Sequence, residues 1–258
     1  MNLLSVKNLT VCLDRTGQHK IVDDVVFDIG ESEIVGLVGG SGSGKTTTGY
    51  SILGLLDPAL RITSGEIFFQ GKNLMKCSED EMRAIRGGRI SMIFQEPLNA
   101  FNPVFSIGYQ IDEMLQFHTD LNWDQRQKRI MELLDMVGLP DPNRIIKNYP
   151  HQLSGGMRQR AMIAQAIAAD PKLIIADEPT SSLDVTLQAR IIDLFKKICD
   201  ELKLSILLIT HDLGMVGHLC DRVAVMTEGK IVEFDESAKI IAEPKHEYTK
   251  KLLGTVKI

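Results

Sequence analysis

Hydrophobic positions follow two periods along the chain. Near the N-terminus, "LLSVKNLTV", "VVFDI" and "EIVGLVG" are short, β-branched and partly alternating, as strands are. "TTTGYSILGLL" reads as a helix, and "GEIFFQG" and "RISMIFQ" as short strands bounded by glycine or charge. From about 106 to 138 the period turns helical, and in "WDQRQKRIMELLDMVGL" the residues Ile130, Leu133, Leu134 and Val137 share one face. A further helix is expected from Gly155 to Ala169. The pattern then alternates: "KLIIADE" a strand, "VTLQARIIDLFKKICDEL" a helix, "LSILLITH" a strand. "RVAVMTEGKIVEF" predicts a hairpin turning at Glu228-Gly229, and the charged tail from Glu236 predicts helix. Apolar strands separated by helices imply a mostly parallel sheet. The helix-only block from about 102 to 157 interrupts it and reads as an inserted subdomain.

Composition narrows the class. The 258 residues suffice for one large domain or two small ones, and 44 % hydrophobic with 24 % charged residues is ordinary for a globular protein. No apolar run approaches the roughly 20 residues of a membrane span, and "MNLLSVKNLTV" lacks the unbroken apolar stretch of a signal peptide. The chain is therefore expected to be cytoplasmic. A net charge of −5 without a basic run gives no footprint for nucleic acid. Cys12, Cys77, Cys199 and Cys220 are far apart and are expected to be reduced structural thiols, and the histidines do not cluster.

Three motifs carry chemistry. In "VGGSGSGKTT", Gly39, Gly40, Ser41, Gly42, Ser43, Gly44, Lys45, Thr46 and Thr47 fit G-x-x-x-x-G-K-[ST] between an apolar strand and a helix. Glycines let backbone N–H groups converge on an anion, and the helix N-terminus favours negative charge. Lys45 is placed to reach the β- and γ-phosphates and Thr46 to ligate Mg²⁺. "LIIADE" ends an apolar strand on Asp177, expected in the Mg²⁺ shell, and Glu178, the candidate general base. ATP or GTP binding with hydrolysis follows from these two motifs. In "LSGGMRQR", Ser154 is a good N-cap, and Gly155 and Gly156 leave N–H groups open at a helix start, a second anion site.

Over nearly its whole length the chain resembles the nucleotide-binding subunits of ABC transporters. The resemblance rests on "GGSGSGKT", Gln95 in "IFQEP", "LSGGMRQR", "LIIADE", "SSLD" with Asp184, and "ITHD" with His211, in the family's order. It implies a P-loop NTPase core with a mostly parallel sheet, an N-terminal antiparallel β subdomain and an inserted α-helical subdomain. As one domain spanning 1–258, the core is expected at about 1–101 and 158–235, the helical subdomain at about 102–157 and the tail at 236–258. It implies ATP and Mg²⁺ as ligands, bound between two ATPase chains closing head to tail, each nucleotide between one chain's glycine loop and the other's signature. Gln95 would touch the Mg²⁺ or water and report to the membrane subunit, His211 would contact the γ-phosphate, and Asp184 would couple the sites. Many relatives stack adenine on an aromatic residue ahead of the glycine loop. "DRTGQHKIVDD" has none, so the alternatives are His19 as the replacement or an adenine held loosely.

"ADEPTSSLDVTLQARIIDL" and "EPKHEYTKKLL" resemble the di- and oligopeptide/nickel importer branch. Peptide importers usually continue into a cysteine-containing extension, whereas this sequence stops at Ile258, which looks more like nickel or metallophore importers. The branch implies a second ATPase chain (a copy or a paralogue), two permeases and an extracytoplasmic solute-binding protein, with this chain peripheral on the cytoplasmic membrane face. An accessory ATPase of a soluble carbon–phosphorus lyase complex is the alternative. A DNA-repair ATPase is disfavoured, because the helical insert is short. Of Leu98, Phe101 and Phe105, at least one is expected to face a groove for a permease helix.

Overall fold

The computed structural model describes residues 2–13, 19–181 and 183–254. In chain order the elements are β1 (Asn2–Cys12), β2 (Lys20–Gly30), β3 (Ile34–Val38), α1 (Lys45–Leu53), β4 (Arg61–Phe69), β5 (Lys72–Asn73), α2 (Glu79–Ile85) and β6 (Ile90–Ile93). There follow α3 (Pro97–Ala100), α4 (Ile107–His118), α5 (Trp123–Met136), α6 (Pro142–Ile145), α7 (Gly155–Ala166), β7 (Leu173–Asp177) and α8 (Val185–Leu202). The chain closes with β8 (Ser205–Thr210), α9 (Leu213–Leu219), β9 (Arg222–Thr227), β10 (Lys230–Glu236), α10 (Ser237–Ala242) and α11 (Glu247–Gly254). They form two compact units, Met1–Met82 with Lys203–Ile258, and Arg83–Leu202.

The first unit holds an antiparallel sheet in the order β2-β1-β4-β5. Its β1 buries Leu4, Val6, Leu9 and Val11 and slips register between Val6 and Leu9, where Asn8 takes a left-handed φ of 49°. Asparagine tolerates that conformation, so the bulge falls where the sequence permits it. The same unit carries β3 between two parallel neighbours, β8 and β9, with β10 antiparallel on β9. All of β3 and β8 is buried, which explains their unbroken apolar runs. The β9–β10 turn falls at Glu228 and Gly229, φ 49° and 78°, the left-handed pair that a two-residue hairpin favours. Arg222 on β9 pairs with Glu33 at 2.5 Å and Asp28 at 2.9 Å, and its guanidinium lies 4.6 Å from the Phe234 ring centre. One cation thus ties β2, the start of β3 and β10 to β9.

In the second unit β6 and β7 run parallel, Ile90 opposite Leu173 and Ile93 opposite Ala176. Helices α4 and α5 pack on each other and on α7. Helix α5 starts at a reciprocal capping box, Asn122 with Gln125, and buries Ile130, Leu133 and Leu134, with Val137 following at its C-cap. Helix α7 stops at Ala166, short of the expected Ala169. The reason is local: Asp170 takes φ 52° and precedes Pro171, which disfavours helix in the residue before it. The charged tail is helical as expected, but "EPKH" splits it into α10 and α11. Short helices α2, α3, α6 and α9 were not anticipated, being less than two turns of periodic pattern. Cys12, Cys199 and Cys220 are buried, and Cys77 is half-buried.

Candidate functional site

In the first unit β3 delivers the chain to Gly39, where backbone and space are both constrained. A Cβ on Gly39 would lie 2.1 Å from the Met226 carbonyl oxygen of β9. Gly44 caps α1 at φ 102°, and a Cβ there would lie 2.6 Å from the Ile21 carbonyl oxygen. Only glycine fits either place. Between them the loop closes on itself: the Ser43 N–H donates to the Gly40 carbonyl at 3.2 Å. Lys45, 5 % exposed, folds back over this turn and donates from Nζ to the carbonyl oxygens of Gly39 and Gly40, both at 2.9 Å. Ser41, Gly42 and Thr46 are exposed, Thr46 on the first turn of α1, and Thr47 is half-buried behind it. His211, just past β8, is exposed, and Asp212 caps α9 through bonds from the Gly214 and Met215 N–H groups.

In the second unit β7 drives five buried residues to Asp177, which is 1 % exposed. Glu178 follows at φ 44°. A left-handed glutamate is uncommon, costs of order 1–3 kcal/mol, and such residues cluster at functional sites. The conformation turns Glu178 out of the strand, so that the Gln95 amide donates to its carboxylate over a long 3.5 Å. The turn is braced from behind, with the Ser181 N–H and hydroxyl both donating to the Glu178 carbonyl at 3.2 and 3.1 Å. Asp184 is exposed and accepts the Leu187 N–H at 3.0 Å at the start of α8. Ser154 is exposed at the N-cap of α7 and accepts the Met157 N–H at 3.3 Å. Gly155 is exposed beside it, while Gly156 is buried close under Leu187.

So the structure brings Gln95 to Glu178, and Lys45 to the carbonyls of its own loop. The expectation on "NAFNPVF" divides. Phe101 is 3 % exposed and belongs to the core, whereas Phe105 is 40 % exposed and stacks on Tyr109 with ring centres 4.6 Å apart. The side chain of Leu98 lies outside the described residues, as do Asp14–Gln18, part of the segment that lacks an aromatic, and Ser182 of "SSLD". His19 is described and exposed. Two partners of the glycine loop were not foreseen. Met226 forms its wall, and the Tyr248 hydroxyl accepts the Gly40 N–H at 2.8 Å. Neither carries a local signal, because each is remote in sequence from the loop.

The oxygen donors Thr46, Asp177 and Gln95 are hard ligands of the type Mg²⁺ takes. Among the described residues no group of three or more His, Cys, Asp or Glu could hold a metal. Among the same residues no helix is long and apolar enough to cross a membrane.

Comparison with known proteins identifies the family. The ABC transporter family model matches residues 22–181. The dipeptide transport ATP-binding protein DppD of Bacillus subtilis is 47 % identical over 256 residues, 98 % of this chain and 76 % of that protein. The oligopeptide transport ATP-binding protein AppD of the same organism is 46 % identical over 258 residues, 99 % of this chain and 79 % of that protein. A solved dimeric ATP-binding cassette in a post-hydrolysis state, bound to ADP and Pi, superposes with a TM-score of 0.79 at 29 % identity, covering 91 % of this chain and 98 % of that one. The chain belongs to the ABC transporter family, as an ATPase subunit of the kind coupled to transmembrane import.

Proposed function

We propose that this chain hydrolyses MgATP to drive uptake of di- or oligopeptides through separate permease subunits. The nucleotide phosphates bind the loop from Gly39 to Thr47, with Lys45 exchanging its carbonyl partners for the β- and γ-phosphates. Thr46 and Asp177, with Gln95, hold the Mg²⁺, which when bound neutralises charge developing on the phosphoryl oxygens. Glu178 accepts the proton of the attacking water, oriented by the Gln95 amide, and His211 contacts the γ-phosphate. Ser154, Gly155 and Gly156 face the nucleotide of a second ATPase chain, and Asp184 links the two sites. Head-to-tail closure on two nucleotides then moves the permeases. The lyase reading is not retained, since the relatives at about 47 % identity carry transport names.

The observation that carries hydrolysis is Glu178, held in a left-handed turn beside Gln95. Peptide rather than nickel cargo is supported by what the similar proteins are named for. The working assembly is two ATPase chains, two permeases and a solute-binding protein, with this chain at the cytoplasmic membrane face. The exposed Phe105–Tyr109 pair is the permease-facing surface.

The test of the site is a pair of variants. Lys45→Ala loses MgATP binding in a titration, and ordinary affinity would remove the phosphate assignment. Glu178→Gln keeps MgATP binding but loses about 10² to 10⁴-fold in turnover, the usual contribution of a general base. Unchanged turnover in Glu178→Gln would show that the base lies elsewhere.

A further inference from the structure

The glycine loop has a partner that neither the motifs nor the family match supplies. The Gly40 N–H donates to the hydroxyl of Tyr248, at 2.8 Å, across 208 residues of sequence. The Gly39 carbonyl, which accepts from Lys45 Nζ, belongs to the same peptide unit. One peptide plane is therefore held at both ends, its oxygen by an ammonium and its nitrogen by a phenol. Each bond polarises the amide in the sense that strengthens the other.

Tyr248 is itself fixed. It stands in the first turn of α11, beside Thr249, which is fully buried. The Tyr248 N–H donates to His246 Nδ1 at 3.1 Å, and the Lys245 N–H to the Glu233 carboxylate at 2.7 Å. Glu233 lies on β10, next to β9, whose Met226 carbonyl walls the other side of the loop at Gly39. The loop thus sits between β9 and a side chain that β10 positions through the tail. Space at Gly40 is matched to this contact: a Cβ there would meet the Tyr248 oxygen at 3.1 Å.

We infer that Tyr248 is a positioning residue for nucleotide binding, holding the Gly39–Gly40 peptide in place when Lys45 leaves it for the phosphates. This rests on the phosphate-binding reading of the loop. Lys45 cannot serve both its loop carbonyls and a nucleotide with the same protons. When it turns to the nucleotide, the peptide loses the ammonium on its oxygen. The bond to Tyr248 remains and keeps the plane from rotating, so the loop meets the phosphates already shaped. Preorganisation of this kind appears as affinity. Because the bond is made to a loop peptide shared by both nucleotides, it serves ATP and ADP alike and does not act on the reacting γ-phosphate.

The test compares wild type, Tyr248→Phe and Lys45→Ala. Tyr248→Phe removes one hydroxyl and keeps the ring. Loss of a single net hydrogen bond predicts roughly threefold to tenfold weaker binding of both MgATP and MgADP. The loss should appear in KM rather than in kcat, with a melting temperature lowered by no more than one net hydrogen bond is worth and faster hydrogen exchange at the Gly40 amide. Wild-type affinity for both nucleotides in Tyr248→Phe, with Lys45→Ala impaired, overturns the role of Tyr248 and leaves the loop assignment standing. Ordinary affinity in Lys45→Ala overturns the loop assignment itself. A fall in kcat at constant KM, or weaker binding only at temperatures where the variant has begun to unfold, also overturns the positioning role. Should the variant fold poorly, exchange in the wild-type chain still decides. A Gly40 amide as fast as an open loop amide contradicts the bond, and a protected one supports it.

Discussion

Gly39 shows how little freedom the site leaves at single residues. With the Met226 carbonyl 2.1 Å from where a Cβ would sit, Gly39→Ala must displace either the loop or β9. Overpacking against backbone typically costs about 1–3 kcal/mol, so the variant should melt earlier and bind MgATP poorly. Gly155 is the contrast. Its Cβ would meet nothing nearer than Leu183 at 4.0 Å, so Gly155→Ala should melt like wild type. Parallel thermal melts of the two variants check this, and equal stability would show that the β9 wall yields. Residues of this kind were legible in the sequence only as motif letters. The spacing of Gly39, Gly44 and Lys45 announces an anion loop, but the walls that make those glycines necessary, Met226 and Ile21, are set by the fold. The left-handed Glu178 was equally silent, because nothing in "ADEP" distinguishes a strand end from a strained turn.

Long periodic helices and short strands of apolar residues such as β3, β6 and β7 were legible in the sequence, whereas the short helices and the split of the tail were not. Helix α5 was legible because four apolar residues, Ile130 to Val137, recur on one face over about two turns, and all four are buried. Leu133→Ala should cost about 2–5 kcal/mol, measurable by denaturant unfolding, since the side chain is fully enclosed. Helix α9 was not legible, since its two turns are held by the Asp212 cap rather than by periodicity. Tyr248 was hidden for another reason: a tail helix of charged residues gives no hint that one phenol reaches a loop over two hundred residues earlier. The end of α4 adds a pH response. His118 packs against the Gly87–Gly88 turn, and burial lowers its imidazole pKa below the usual value. The folded state therefore binds this proton less readily than the unfolded chain, whose histidines titrate near about 6.5. Stability from this group is complete above that pH, declines as pH falls through it, and levels off below the folded pKa. His118→Gln should flatten the slope of melting temperature between about pH 7 and pH 5. An unchanged slope would mean that the imidazole is not desolvated.

In the whole molecule the proposed mechanism depends on shared sites and on coupling. The exposed Phe105–Tyr109 stack is the proposed contact with the permeases, while Phe101, buried beside it in sequence, is structural. Phe105→Ser with Tyr109→Ser should leave the melting temperature and nucleotide binding of the isolated chain near wild type. The pair should weaken co-purification with permeases, and intact assembly would place the contact elsewhere. The signature makes a sharper demand. Ser154 is exposed at its helix start, and its proposed place is against the nucleotide of another chain. The central claim, that the Gly39–Thr47 loop binds this chain's own nucleotide while Ser154 serves a partner's, is tested most directly by photo-crosslinking labelled ATP to the isolated Ser154→Arg and Lys45→Ala chains. Label should appear on folded Ser154→Arg at the wild-type level and be lost from Lys45→Ala. Label retained by Lys45→Ala, or absent from a folded Ser154→Arg chain, would contradict the account.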